Sequence, residues 1–269
     1  MRGAARLVAS LACAGMLAVP AAPSVAQPAG PIEVRDARSA QYDAGTATWL
    51  LEGRPVRVRR GDFEIAAARI LYREKERLAI AQDGVRARHK GQTVTADRAR
   101  ADMVQQAVAL EGNVVLEYQT AEGLAVLRAP AADADLRVGR VLARGGVHAT
   151  WGRVELRCES AAADLRAQTV TATGGPVAIV EGVRVEADRM QADLVPQVLY
   201  GTGGVRVADP RLVATAHELE IGWGERVAML RGDVVARHGP DVLRAAAVRY
   251  EFATGRMVAT GRPRVVVHP

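Results

Sequence analysis

Aromatic residues are scarce in this chain of 269 residues. They make up 4% of it, whereas hydrophobic residues as a whole make up 49%. Valine and alanine supply most of the apolar content, so the sequence does not predict a pocket walled by stacked rings. Lysine is nearly absent too: Lys75 and Lys90 are the only two, and arginine carries almost all of the basic charge.

Cysteine occurs only at Cys13 and Cys158. Cys13 falls in an N-terminal segment that we expect to be removed, and the one cysteine left cannot form an internal disulfide. Stability must then come from strand pairing and a hydrophobic core. Cys158 shares the strand parity of Val154 and Leu156, which predicts a buried apolar residue and makes a reactive thiol the less favoured interpretation.

Motifs of catalysis and metal binding are also missing from the sequence. The five histidines have no His, Cys or Glu at metal-ligand spacing, and His217 takes the aspartate position of a repeated phrase, where it should face solvent. The glycine-rich residues 201–204 lack the following helix of a dinucleotide site. Asp133 and Asp135 could form a glycosidase-like pair, but acids at repeat-equivalent positions favour a structural role. We predict no enzymatic activity and no cofactor.

The first 26 residues form a separate segment. Arg2 and Arg6 precede an apolar run of 13 residues, and Ser24 and Ala26 are small at the positions that a signal peptidase inspects. The run is too short to span a bilayer comfortably, which predicts a cleaved secretory signal over 1–26 and a short polar lead over 27–31. An uncleaved anchor is the alternative.

The net charge of +6 and the pI near 9.9 raise nucleic acid, anionic lipid and phosphorylated glycolipid as partners. Removal of Arg2 and Arg6 lowers the charge from +6 to +4, and the remaining charges are scattered along strands. This pattern favours a solvated face, and we predict no nucleic-acid partner.

Two landmarks recur in step through the rest of the chain. Glycines before an alternating apolar stretch are separated by 31, 28, 33, 29, 29, 29 and 29 residues, and a second phrase, ADRMQA at 187–192 and AAAVRY at 245–250, follows the same period. Recurrence of both predicts seven repeats with a half-repeat at each end. The glycines are Gly53, Gly84, Gly112, Gly145, Gly174, Gly203, Gly232 and Gly261.

Each repeat has the pattern of bent β-strands. Apolar residues alternate after the glycine, a polar or glycine turn follows, and the next strand changes its apolar parity midway, as at Val185 and Met190. A slip of one residue turns the opposite face inward, so the strand must bend or bulge there. The sequence therefore predicts an all-β fold, an elongated twisted β-jelly roll or β-solenoid of about eight repeats of antiparallel bent strands, as one domain over 32–268.

These phrases resemble the OstA-like repeat of the LptA family of periplasmic lipopolysaccharide-transport proteins, which includes LptA, LptC and the N-terminal part of LptD. The similar stretches are EGNVV at 111–115, VRVEADRM at 183–190, RGDVV at 231–235, RAAAVRY at 244–250 and GRMVATGRPRVVV at 255–267. The resemblance covers nearly all of the chain after the signal. The chain is long for a single bridge protein of this type, and the repeats between 121 and 165 are irregular.

The resemblance implies a periplasmic carrier that binds lipopolysaccharide through its lipid A acyl chains and passes it toward the outer membrane. It also implies edge-strand pairing with other OstA-like jelly-roll proteins, and head-to-tail self-association is possible. We expect eleven residues of inward parity to line the lipid-binding groove: Val56, Val58, Ile65, Val114, Leu116, Ile179, Val185, Met190, Val207, Val234 and Leu243.

Two other functions remain open from the sequence. A structural or adhesive exported β-solenoid would have the same repeats around a fully packed core. A polysaccharide-binding or lyase solenoid would need acids and aromatics on one face over several repeats, which the sequence does not show. Trp49, Trp151 and Trp223 do not share a repeat position, so packing is favoured over a ladder of sugar platforms.

Overall fold

The computed structural model describes residues 33–89, 92–120 and 123–267, and all regular secondary structure in these ranges is β. The predicted signal and lead (1–26 and 27–31) lie outside the described residues. No helix in the described ranges is long and apolar enough to cross a bilayer. The strands are β1 (Glu33–Asp43), β2 (Thr48–Arg60), β3 (Phe63–Arg73), β4 (Leu78–His89), β5 (Gln92–Asp102), β6 (Ala107–Thr120), β7 (Gly123–Asp135), β8 (Arg140–Trp151), β9 (Val154–Asp164), β10 (Thr169–Thr173), β11 (Val177–Val180), β12 (Val183–Glu186), β13 (Arg189–Asp193), β14 (Val198–Ala208), β15 (Val213–Gly222), β16 (Val227–His238), β17 (Asp241–Glu251), β18 (Arg256–Thr260) and β19 (Arg264–Val266).

The chain divides into two compact units. Unit 1 contains residues 33–145 and 164–166, and unit 2 contains residues 146–163 and 167–267. In unit 1, each strand from β1 to β6 pairs antiparallel with the next one along the chain, so the series ends with the pair β6–β7. The prediction of one domain over 32–268 stays a prediction, and each unit is described separately.

Unit 2 follows the same plan, but two of its long strands are each broken into two halves, β10 with β11 and β12 with β13. The halves β10 and β11 are separated at residues 174–176 (GGP), and β12 and β13 at 187–188. The strand β14 pairs with both β12 and β13, and antiparallel pairing then continues through β15, β16 and β17. The strands β18 and β19 both pair with β17. The predicted all-β class with antiparallel bent strands is confirmed.

A bulge at the repeat glycine gives each long strand its bend. The register between β16 and β17 shifts between Arg231 and Val234, where Gly232 and Asp233 have φ of 81° and 47°. The same pair of left-handed residues occurs at Gly112–Asn113 and Gly203–Gly204. Such a bulge adds a residue to one strand and bends it. The parity slip on the partner strand is confirmed, because Ile65, Ala67, Ile70 and Tyr72 on β3 are all buried.

A ladder of backbone hydrogen bonds joins consecutive four-residue turns at the other end of the strands. A residue of each turn donates its N–H to the carbonyl of the last residue of the preceding turn, over 2.8–3.1 Å. Every acceptor residue has a positive φ, from 51° at Ala47 to 74° at Gly139. We call this series the turn ladder. In unit 1 its donors are Glu74, Met103, Leu136 and Leu165, and in unit 2 they are Leu194, Trp223 and Phe252.

The long repeat that separates Gly112 from Gly145 is explained by one extended hairpin. Beyond its bulge the β6–β7 pair continues for seven registered pairs, from Val114 with Ala129 to Thr120 with Gly123. The corresponding part of β16–β17, in a repeat of 29 residues, has five pairs. Two more pairs are four more residues, which is the difference between this gap of 33 and the usual 29.

The bulge geometry predicts different costs for two neighbouring glycines. Gly174 and Gly175 have φ of 78° and 69°, so alanine at either position costs about 1–2 kcal/mol of backbone strain. A Cβ at Gly174 would also collide with Cβ of Glu159, whereas a Cβ at Gly175 meets nothing within 4 Å. We expect Gly174→Ala to lower the free energy of unfolding by about 1–3 kcal/mol more than Gly175→Ala, measured by urea denaturation. Equal losses would contradict this packing of the bulge against Glu159.

Candidate functional site

Each unit has an apolar interior formed by the buried faces of its strands. All buried residues in the described part of the chain are hydrophobic, and none is polar or charged. Their side chains are mainly valine, alanine, leucine and isoleucine. Because aliphatic side chains fix no orientation, such a surface makes contacts that depend on area rather than direction.

Five of the predicted lining residues lie in unit 1. Val56, Val58, Ile65 and Val114 are each 0% exposed, and Val58 is registered directly opposite Ile65. Leu116 lies on the same face of β6 but is half-buried, between Val94 of β5 and Leu127 of β7.

The other six predicted lining residues lie in unit 2. Val185, Met190, Val207 and Val234 are buried, with exposures of 0% or 1%, and Val185 is registered opposite Val207. Leu243 lies on the buried face of β17 next to Ala236 but is itself half-buried. The sixth residue, Ile179, is placed differently.

Ile179 does not share the interior face with the other ten residues. It is half-buried and alternates with buried Ala178 and Val180, so it lies on the opposite face of β11. The physical reason is the position of the bulge. Buried residues begin two positions after the repeat glycine, at Val205 after Gly203 and at Val234 after Gly232. After Gly174 this rule selects Pro176, Ala178 and Val180.

The apolar interior is closed to solvent along most of its predicted lining. Eight of the eleven residues are 0–1% exposed, and the half-buried Leu116 and Leu243 both lie near the hairpin end of their strands. Partial access to the interior face therefore occurs where strands approach a hairpin, away from the bulges.

Sequence analysis missed the largest residues of the interior, which are two tyrosines. Tyr72 and Tyr250 are 1% and 2% exposed and occupy the same repeat position at the end of β3 and β17. The Tyr72 hydroxyl lies 3.9 Å from the sulfur of Met103, and the Tyr250 ring packs edge-to-face on Phe252 with centroids 5.2 Å apart. Both rings occur in the repeat phrase, but the predicted lining contained only aliphatic residues and one methionine.

A short strap crosses beside Tyr250 and closes that part of unit 2. The Tyr250 hydroxyl donates to Oδ2 of Asp209 at 2.7 Å, and Oδ1 of Asp209 accepts the N–H groups of Arg211 and Leu212. Leu212 is 2% exposed. Burial, together with the hydrogen bond to Asp209 and its negative charge, raises the pKa of Tyr250 to about 12, so the hydroxyl keeps its proton at neutral pH. We call residues 209–212 the strap.

The other singled-out polar residues have structural surroundings. Asp133 pairs with Arg144, and Asp135 accepts backbone N–H groups of the following turn. His217 is exposed, as predicted. No group of three or more metal-ligating side chains occurs in the described residues. Among the tryptophans, Trp49 donates to Glu74 at 3.0 Å.

Comparison with known proteins gave a similarity to solved structures. No protein-family model matches the chain, and no curated protein matches it. Among solved structures, it is similar to LptH of Pseudomonas aeruginosa, the LptA-homologous periplasmic component of that organism's lipopolysaccharide transport device. Sequence identity is 14%, the match covers 54% of this chain and 95% of LptH, and the TM-score is 0.28. At these values we draw no conclusion from the similarity about ligand or partners.

Cys158 provides a probe of the interior, and the prediction that it is buried is confirmed. It is 8% exposed on the face shared with Val154 and Leu156, and burial, with the charge of Glu159, raises its pKa to about 11. A thiol reacts as the thiolate, so Cys158 should be almost unreactive at pH 8.

We expect iodoacetamide at pH 8 to label Cys158 in a Cys13→Ser background at least about tenfold more slowly in the folded protein than in denaturant. Because the pKa is raised on folding, the stability from the protonated thiol is complete below its ordinary pKa of 9.0 and is lost as the pH rises through about 11. Equal labelling rates, followed by mass spectrometry, would contradict burial of this face.

Proposed function

We propose that the chain is an OstA-like periplasmic carrier that binds lipopolysaccharide through its acyl chains and forms part of a bridge to the outer membrane. One observation carries this proposal: the interior of both units is lined mainly by aliphatic side chains, and no charged or amide side chain is buried among the described residues. The signal-like residues 1–26 and the repeated phrases support export and the LptA-like role.

An acyl chain gains free energy in such an interior simply by leaving water. Each buried methylene contributes about 0.8 kcal/mol, so a long chain gains several kcal/mol without a directional contact. Because this binding depends on buried area alone, an acyl chain can shift along the lining with little change in binding free energy. This property suits a carrier that must release its lipid better than an enzyme that must hold one atom in place.

The interior must open for an acyl chain to enter. The side chains of the extended β6–β7 hairpin support an entry point there. Leu116 is half-buried there, and Tyr118, two residues farther along the same face of β6, is 37% exposed. Apolar side chains thus continue from the buried face onto an exposed hairpin. We propose that acyl chains enter unit 1 along this path.

The first and last strands support assembly with partners. β1 has exposed Val34 and Tyr42, and β18 and β19 have exposed Val258, Val265 and Val266. Terminal strands offer backbone groups to another sheet, and apolar side chains add area to such a contact. We propose pairing with other OstA-like jelly-roll proteins, or head-to-tail with a second copy, through these strands.

A second candidate is favoured by the closure of the interior. Eight predicted lining residues with exposures of 0–1% are what a structural or adhesive β-repeat protein with a packed core would also have. The two candidates differ in whether the interior takes up lipid, and this can be measured directly.

A pair of adjacent substitutions tests the lipid carrier. Leu116 and Val115 are both half-buried on β6 but lie on opposite faces. We expect Leu116→Asp to weaken binding of lipid A at least about tenfold, because a carboxylate on the lining must be desolvated when the chain enters. Val115→Asp adds the same charge outside the interior and should leave affinity nearly unchanged.

Native mass spectrometry of the purified protein with added lipid A provides the measurement, and circular dichroism checks that both variants fold. A wild-type protein that gives no lipid adduct over the titration would favour the packed structural protein. Equal loss in both variants would remove Leu116 from the proposed entry path.

A further inference from the structure

The outer face of unit 2, opposite its apolar interior, contains one depression that combines an aromatic ring with planar polar groups. Its volume is about 390 Å³, and it is lined by Arg189, Gln191, Asp193, Tyr200 and Thr202. All five belong to the neighbouring strands β13 and β14. Neither the predicted lining nor the proposed lipid path uses any of them.

Strand pairing brings these side chains together. Arg189 is registered opposite Thr202, and Gln191 is registered opposite Tyr200. On the other side of β14, Glu220 of β15 is the registered partner of Tyr200. The ring therefore lies between an amide and a carboxylate on the two flanking strands. Directly opposite pairs on one face have Cβ atoms about 4.5–5.5 Å apart, close enough to contact one ligand.

Two hydrogen bonds orient the polar groups around the ring. Nε2 of Gln191 donates to Oδ1 of Asp193 at 2.9 Å, which turns the amide oxygen away from that carboxylate. Glu220 accepts from Arg231 at 3.3 Å and keeps its second oxygen for another donor. An amide and carboxylates in fixed positions are suited to sugar hydroxyl groups, which donate and accept hydrogen bonds.

Arg189, like Arg206 farther along β14, is an arginine of this face without an ion pair among the described residues. Arg231 and Arg249 each pair with a glutamate, whereas the Arg189 guanidinium has no hydrogen bond or ion pair within the described part of the chain. A free guanidinium presents a planar pair of donors that matches a carboxylate. The depression thus combines hydroxyl-binding groups with one unpaired cation.

The repeat does not require this arrangement. The residues at the same position as Tyr200 in neighbouring repeats, 29 positions before and after, are Thr171 and Met229, and the next is Val258. The equivalents of Arg189 are Ser160, Glu218 and Ala247. The fold accepts all of these side chains, so packing alone does not explain an aromatic ring and an unpaired arginine together in one repeat.

We propose that this depression is a binding site for an acidic saccharide. The Tyr200 ring contacts the C–H face of one sugar, Gln191, Asp193 and Glu220 bond its hydroxyl groups, and Arg189 pairs with its carboxylate. The volume of about 390 Å³ lies within the range of small-ligand sites. Because the site is on the outer face, it is independent of acyl-chain binding in the interior. The saccharide could come from a free polysaccharide or from the sugar part of a glycolipid.

The experiment is a titration of the purified protein by isothermal calorimetry with three probes: hexagalacturonic acid, neutral maltohexaose, and the deacylated oligosaccharide of a lipopolysaccharide. We expect saturable binding of at least one acidic probe in the millimolar range or tighter, and binding of maltohexaose at least about tenfold weaker. Binding of hexagalacturonate indicates a free polysaccharide as the source. Binding of the deacylated oligosaccharide alone indicates a glycolipid.

Matched variants separate this site from general attraction to basic charge. Arg189→Gln and Tyr200→Ala should each weaken acidic-probe binding at least about tenfold, while Tyr200→Phe should retain most of it because the ring remains. Arg206→Gln removes the same charge from an exposed position farther along β14 and should bind normally. The proposal is overturned if no acidic probe binds at about 10 mM, or if Arg206→Gln weakens binding as much as Arg189→Gln.

Discussion

The left-handed residue pair at seven of the eight repeat glycines, all but Gly53, is the constraint on which the rest of the structure depends. At Gly112–Asn113, Gly203–Gly204 and Gly232–Asp233 it inserts a residue into one strand and shifts the register, and the partner strand changes which of its side chains face inward. Without that reversal, half of each long strand would bury its charged side chains. A residue with positive φ costs most side chains free energy, which explains why glycine recurs so regularly when the aliphatic residues around it vary.

Sequence alone predicted the fold class, the repeat and the slip of parity, because all three depend on local periodicity and on glycine. Ten of the eleven predicted lining residues lie on the buried face. Ile179 lies on the opposite face, because the buried positions after Gly174 are Pro176, Ala178 and Val180, and the prediction followed the larger Ile179 instead of Ala178. Tyr72 and Tyr250 end two copies of the repeat phrase, at 67–72 and 245–250, but the predicted lining did not include them. The turn ladder was not predicted, since backbone hydrogen bonds between turns leave no side-chain signature.

The surroundings of Tyr200 could not be predicted either, for a different reason. Gln191 and Glu220 occupy the same repeat position, 29 residues apart, and only the register of β13, β14 and β15 shows that they lie on either side of the ring. A repeat makes the interior predictable because every copy contributes the same kind of residue. A site that occurs in one copy is a departure from the repeat, and it becomes visible only when the strands are aligned.

The two ends of the strands differ in how much they vary. The turns of the turn ladder are uniform and stabilise the structure, whereas the hairpins at the other end differ in length. At the ladder end every connection has the same four-residue form, and its hydrogen bonds set the register of successive repeats. At the hairpin end the lengths differ, from the four added residues of β6–β7 to the strap at 209–212. A chain built in this way can gain or lose residues at one end without disturbing its neighbours. The hairpin end is thus where new specificity can arise while the scaffold stays in register.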